Sequence, residues 1–249
     1  MLVEPRGVTD PPPIDLLPGR AALLPADGTL LVADLHLGKA ASFRHAGLPV
    51  PEGSSLGDLE RLEQLVQATA AARLLILGDL FHAATGCTPA VFEEFARFRR
   101  RIASTQVVLV EGNHDRRVHL SLALGIDRIV DRLDEPPWVF VHEPPRSRLS
   151  ERAFVCGHLH PRVSIRSPSG DRLSQRCFLE EPGMWVLPAF GSFTGSSVVP
   201  ITMTTRVWAA GDEGVVDVSR MARLASGRRR AVARDTERRQ GDGREGRSR

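Results

Sequence analysis

Apolar residues recur along this chain in two rhythms that alternate through its first half. Residues 20–33, RAALLPADGTLLVA, read as two short strands joined at Ala26-Asp27-Gly28, because Asp and Gly supply turn backbone between apolar runs. Residues 54–72 then place Leu56, Leu59, Leu62, Leu65 and Val66 at helical spacing, behind a cap at Ser54 or Ser55. RLLIL at 73–77 predicts a buried strand. Thr88-Pro89 caps and opens a second helix, AVFEEFARFRRRIA, and VVLV at 107–110 gives the next strand, with a short helix expected after Arg117.

The second half changes character. WVFVH at 138–142 and AFVCGHLH at 153–160 predict strands. RVSI, WVLPAF, SVVPI, RVWAA and GVVDV are short, rich in β-branched residues and separated by Gly, Pro and Asp, which predicts a group of mainly antiparallel strands. Alternating strands and helices followed by strands alone predict an α/β sandwich: two packed sheets flanked by helices. Five of the predicted strands run into a polar residue, namely Asp34, Asp79, Asn113, His142 and His158. Open α/β sheets bind ligands beyond the carboxyl ends of their strands, so these five positions are the place to look for chemistry.

Composition narrows the class. A chain of 249 residues, 42% hydrophobic, can bury a full core. No apolar run approaches the roughly 20 residues that cross a bilayer, and the amino terminus lacks the apolar stretch of a signal peptide. A cytoplasmic protein that does not engage a membrane is expected. Three cysteines without paired spacing suggest neither a disulfide framework nor a thiolate zinc site. The net charge of +3 hides an asymmetry: residues 220–249 hold 11 Arg against 4 acidic residues, while the other 219 hold 22 basic and 26 acidic ones. We therefore expect one domain over 1–219 and an Arg-rich, disordered tail over 220–249, which either solubilises the chain or acts as a salt-sensitive arm for nucleic acid.

Six of the eight histidines fall in five short segments: DLH at 34–36, GDLFH at 78–82, GNHD at 112–115, VH at 141–142 and GHLH at 157–160. Carboxylates, an amide oxygen and imidazoles suit manganese, iron, zinc or cobalt, and no thiolate is demanded. A carboxylate can bridge two ions about 4 Å apart, and Asp79 is the candidate. The x-spacing of DLH and HLH would let two side chains on one side of an extended segment reach one cluster. Glycines before Asp79, Asn113 and His158 would remove bulk where the backbone turns.

In order and spacing, these segments resemble the calcineurin-like metallophosphoesterases over roughly Leu31 to Pro161. That resemblance implies a four-layer α/β/β/α sandwich of two mixed sheets. It implies a site for two divalent ions, manganese before zinc or iron. Asp34, His36, Asp79 and His160 would hold one ion, and Asp79, Asn113, His142 and His158 the other. His114 would stand near the scissile phosphate as transition-state stabiliser and acid for the leaving group. Within the superfamily, residues 32–51 and LPAFGSFTG at 187–195 resemble the bacterial DNA-ligase-associated metallophosphoesterases, encoded beside a ligase, a helicase and a nuclease of DNA repair. The implied activity is hydrolysis of DNA phosphodiesters, in single-stranded or flexible segments, by metal-activated hydroxide. DNA is the implied partner, with an ATP-dependent DNA ligase, a helicase and an exonuclease as associates, and the oligomeric state is left open.

His82 stands where related protein phosphatases carry Asp, which argues against phosphoprotein substrates. His82, Asp115 or a backbone carbonyl could orient His114, and Asp115 could equally cap the following helix. Arg116, Arg117 and Lys39, the only lysine, are candidate phosphate contacts. His45 and His119 read as ordinary histidines. The loop AFGSFTGSS could line a substrate groove. Two other readings fit the same ligands: a hydrolase of small phosphoesters such as cyclic nucleotides, nucleotide pyrophosphates or lipid-linked diphosphates, and a catalytically silent scaffold.

Overall fold

A computed structural model describes residues 1–8, 11–118, 124–147, 151–166, 169 and 171–226. The central strands of the first sheet are β4 (Thr29–Val32), β5 (Arg73–Leu77) and β6 (Gln106–Val110), with β7 (Arg128–Val130) beyond them, all parallel. Their near-continuous apolar runs are the signature of strands covered on both faces. Leu31, Leu75, Leu77, Val108 and Val110 point one way into a core shared with the second sheet. Leu30, Val32, Leu74, Ile76, Val107 and Leu109 point the other way, against helices. On the far side of β4 the sheet is antiparallel, through β3 (Ala21–Leu24), β2 (Ile14–Leu17) and β1 (Leu2–Val3).

Three helices lie near this sheet: α1 (Lys39–His45), α2 (Ser54–Thr69) and α3 (Pro89–Arg101). Leu59, Leu62 and Val66 of α2 and Val91, Phe95 and Phe98 of α3 cover its outer face. Thr88 caps α3 as expected, its side chain accepting from the Val91 N–H. The cap of α2 is Gly53 in a left-handed conformation rather than a serine. Ser55 does something else: its Oγ accepts the Gly38 N–H at 3.0 Å, tying the start of α2 to the start of α1.

The second sheet contains β8 (Leu133–Glu135), β9 (Trp138–Phe140), β10 (Ala153–Cys156), β11 (Pro161–Arg166), β12 (Arg172–Glu181), β13 (Met184–Val186) and β14 (Ser197–Val198). Two further strands, β15 (Arg206–Ala210) and β16 (Val215–Asp217), extend it from β12. It is mixed, with β10 parallel to β9 and β13, and β14 parallel to β11. Its other pairings, β8–β9, β11–β12, β12–β13, β12–β15 and β15–β16, are antiparallel, so antiparallel pairing predominates as expected. Trp138, Phe140, Val155, Phe178, Trp185 and Trp208 fill the space between the sheets. On the outer face, Val163, Cys177, Val207 and Ala209 meet a carboxyl-terminal helix that opens at Ser219 and runs through residue 226. The layers are therefore α/β/β/α. The limit expected at residue 219 falls inside this helix, whose Ala222 is buried, while 227–249 lie outside the described residues. No helix among the described residues is long and apolar enough to cross a membrane.

Trp185 and Trp208 stack between the sheets with centroids 5.2 Å apart and planes 20° from parallel. Trp208→Ala is expected to destabilise the fold by about 3–5 kcal/mol, read from the midpoint of denaturant unfolding.

Candidate metal centre

The polar residues that end the parallel strands are bent inward by an uncommon backbone. Asp34, His36, Asp79, His158 and His160 all have positive φ, between 45° and 66°, and they are five of the seven non-glycine residues of that kind among those described. This region is sparsely allowed for residues with a Cβ, so the surroundings must hold each one there. The expectation of extended DLH and HLH segments is corrected accordingly. In each triplet the two outer residues are both left-handed, and it is that pair of bends which brings two side chains to one cluster. Glycine precedes the turn where space is shortest: a Cβ on Gly78 would overlap the His142 ring, and one on Gly112 the Asp79 carboxylate.

Asp79 is the hub. Its buried carboxylate turns Oδ2 toward His36 Nε2, at 3.6 Å, and Oδ1 toward His142 Nε2, at 3.5 Å. On the Oδ2 side, Asp34, His36, Asp79 and His160 offer donor atoms within 4.8 Å of one another. His160 Nε2 lies 3.2 Å from Asp34 Oδ1 and 3.4 Å from His36 Nε2. On the Oδ1 side, His142 Nε2 lies 3.2 Å from both Asn113 Oδ1 and His158 Nδ1. Ligand atoms held about 2.1 Å from one ion are themselves roughly 3–3.5 Å apart, so both spacings suit divalent cations.

A test of fit comes from the lone pairs. His142 Nδ1 donates to the Leu77 carbonyl at 2.9 Å, which leaves Nε2 of the neutral ring as an acceptor facing an amide oxygen, a carboxylate oxygen and a second imidazole nitrogen. Acceptors that face acceptors call for positive charge between them. The proton responds to the same field: burial works against a charged His142, yet its bond to Asp79 and the nearby carboxylates push its pKa up to about 9. Burial alone would raise Asp79, but the His142 bond and charge, the His114 N–H and His36 hold it down to about 2. His36 is pushed down to about 2 by burial, against the pull of Asp79, and so offers a neutral nitrogen. The donor set fits two divalent ions.

The remaining candidates separate. His114 donates its backbone N–H to Asp79 Oδ1 at 3.0 Å and its Nδ1–H to the His82 carbonyl, so a backbone carbonyl orients its ring. Its Nε2 lies 3.9 Å from Asp79 Oδ2, on a side chain 28% exposed. The His82 ring stacks on His114 at 5.1 Å and meets His36 Nδ1 at 3.3 Å, held neutral by burial and by Lys39, with its pKa down to about 4. Asp115 does not reach the His114 ring. Its buried carboxylate accepts the Phe81 N–H at 3.2 Å and the Gly112 N–H at 3.0 Å, joining the loops after β5 and β6, and it opens α4 (Asp115–Val118), ahead of the position after Arg117 where a helix was expected. Burial pushes its pKa up to about 6. Arg116 pairs with Asp131 at 3.2 Å and lines a cavity of about 190 Å³ beside Asn113 and His142. Arg117 is exposed, Lys39 begins α1 near His82, His45 is exposed, and His119 lies outside the described residues.

Sequence reasoning missed what supports Asp34. The loop after β13 lies on the turn that carries it: Phe190 donates its N–H to the Ala33 carbonyl at 2.8 Å, and Gly191 donates to Asp34 at 3.2 Å. Asp58 and Arg61 of α2 and Arg176 of β12 hold this loop in turn. An Asp and an Arg three apart on a helix are an ordinary surface pair, so no signal in the sequence marked them.

A family model described as calcineurin-like phosphoesterase matches residues 29–183. Among solved structures, the chain is similar to the nuclease MPE of Pseudomonas putida, at 32% identity over 88% of this chain and 99% of that one, with a TM-score of 0.71. A more distant likeness is to Yfce, a phosphoesterase from E. coli, at 16% identity over 77% of this chain and 98% of that one, with a TM-score of 0.39. Among curated proteins, none matches.

Because Asp79 serves both clusters, Asp79→Ala is expected to lose both ions, whereas Asn113→Ala is expected to keep the ion of the Asp34 cluster. Elemental analysis of the purified, folded variants gives the stoichiometry, and two ions retained by Asp79→Ala would contradict the bridging role.

Proposed function

The chain belongs to the calcineurin-like phosphoesterase family and is a metal-dependent phosphoesterase, and on that premise we propose that it cleaves phosphodiesters of DNA, in single-stranded or flexible segments, as a step of DNA repair. The observation that carries this reading is the likeness to a nuclease across 88% of the chain. The openness of the site supports it, since His82, His114, His158 and His160 are all partly exposed at one rim, as a polymer substrate requires. Manganese is the proposed metal. A DNA ligase, a helicase and an exonuclease are the proposed associates, on the resemblance of residues 32–51 and 187–195.

Asp34, His36, Asp79 and His160 would hold one ion and Asp79, Asn113, His142 and His158 the other; when bound, such a pair supplies Lewis acidity toward the phosphoryl oxygens and acidifies water toward neutrality. The chain itself supplies the proton. With Nδ1 committed to the His82 carbonyl, His114 can meet the substrate only through Nε2, so the protonated ring is the form that gives a proton to the departing oxygen. The stacked His82 ring fixes the plane in which that nitrogen is presented.

His114→Ala is expected to retain both metals and lose roughly 10²–10⁴ of its turnover on DNA. The loss should be much smaller on bis(p-nitrophenyl) phosphate, whose leaving group needs no proton, and equal losses on the two substrates would rule out the acid role. Residues 227–249 carry nine arginines against four acidic residues. A chain ending after Ser226, which keeps the described part of the carboxyl-terminal helix, is therefore expected to bind single-stranded DNA with a flatter dependence on salt, each lost phosphate contact lowering the slope by about 0.7.

A further inference from the structure

The loop after β13 is held far more firmly than its tip requires. Arg176 donates to four of its carbonyls, those of Ala189, Gly191, Ser192 and Thr194. The buried Asp58 accepts the Ser192 N–H at 2.8 Å and its hydroxyl at 3.1 Å, while Arg61 donates to the Phe190 carbonyl at 2.6 Å and lies 4.2 Å over the Phe190 ring. Three charged side chains, from two elements, thus fix a short loop of Gly, Ser and Thr. What the loop presents is Phe193, a large apolar ring left 38% exposed at its tip.

That ring is not isolated from the chemistry. It packs edge-on to Phe43 at 5.6 Å, Phe43 packs edge-on to His82 at 6.2 Å, and His82 stacks on His114. Lys39, which forms no ion pair among the described residues, carries its ammonium 5.9 Å from the centre of the Phe43 ring. Beside Phe193 opens a shallow cavity of about 550 Å³, lined also by Val50, Pro51, Asp58, Arg61 and Ser192. A fixed aromatic face, a cation beside the Phe43 ring that supports it and an open groove flanking Phe193 are parts that bind an unpaired base and its phosphate, and the ring contacts through Phe43 and His82 link that face to the metal site.

We infer that Phe193, buttressed by Phe43, is a stacking platform for a nucleobase flanking the scissile phosphate, with Lys39 beside that nucleotide's phosphate. This rests on the DNA reading and deepens it, because a stacked base must be unpaired, so the platform selects single strands. It favours no particular base, since every base offers a π face. Rigidity is what the Arg176, Asp58 and Arg61 contacts contribute: a ring already in place loses little freedom when a base settles on it.

The test uses the manganese-loaded protein and two single strands of equal length, one bearing bases throughout and one built of abasic units. The wild type should show the lower KM on the base-bearing strand. Phe193→Ala should lose that preference, its KM on this strand rising about tenfold or more with kcat little changed. Phe193→Trp should keep the preference, and Phe193→Leu, apolar but without a π face, should behave as the alanine variant does. A Phe193→Ala protein that still prefers the base-bearing strand would overturn the platform alone. So would a folded variant impaired alike on both strands and on bis(p-nitrophenyl) phosphate, which would mark Phe193 as purely structural. A wild type that hydrolyses the chromogenic diester but neither strand would overturn the DNA reading, and the platform with it.

Discussion

Lone pairs crowded around one carboxylate are the constraint that organises this protein. Asp79 sits between two sets of nitrogen and oxygen atoms whose close approach calls for positive charge between them, from a proton or a metal cation. Holding them together needs rigid supports, and parallel strands supply them. The backbones of β4, β5 and β6 are paired in register and buried on both faces, so the turns at their carboxyl ends start from fixed positions. β9 and β10 of the second sheet deliver His142 and His158 from the opposite side. The site is thus a seam between two sheets, and the apolar core beneath it sets its width.

Charge explains the rest of the arrangement. The first 219 residues are net acidic, so the body of the protein does not attract a polyanion. For the DNA substrate proposed above, attraction would have to be local, from the ions, from Lys39 at the rim and from the arginines beyond residue 226. Several of the arginines within the body are instead spent internally. Arg61 and Arg176 serve the loop after β13, Arg73 pairs with Glu135 at 2.7 Å, and Arg6 and Arg206 share the buried Glu180.

The strands that carry ligands were legible because period and polarity agree there: an apolar run long enough to be buried stops at a residue that cannot be. All seven metal-ligand candidates are brought to two clusters for that reason. What could not be read was tertiary. Ser54 and Ser55 look like caps, yet the helix is opened by Gly53 because Ser55 is needed across the gap to α1. DLH and HLH look extended, and only a structure reveals that the residues bend the other way. Asp115 next to His114 suggests a catalytic pair, whereas adjacency in a tight turn sends the two side chains apart. Strand β12, ten residues long and polar over its first half, carries too little apolar signal to be seen.

One of these features reaches further than its own hydrogen bonds. Asp115 clamps Phe81 and Gly112 together from beneath, so the two loops that flank Asp79 are a single rigid jaw before any cation arrives. A cage of fixed aperture cannot tighten around a smaller ion or relax around a larger one. Discrimination among divalent metals would then rest on ionic radius and preferred geometry as well as on the general order of ligand affinity.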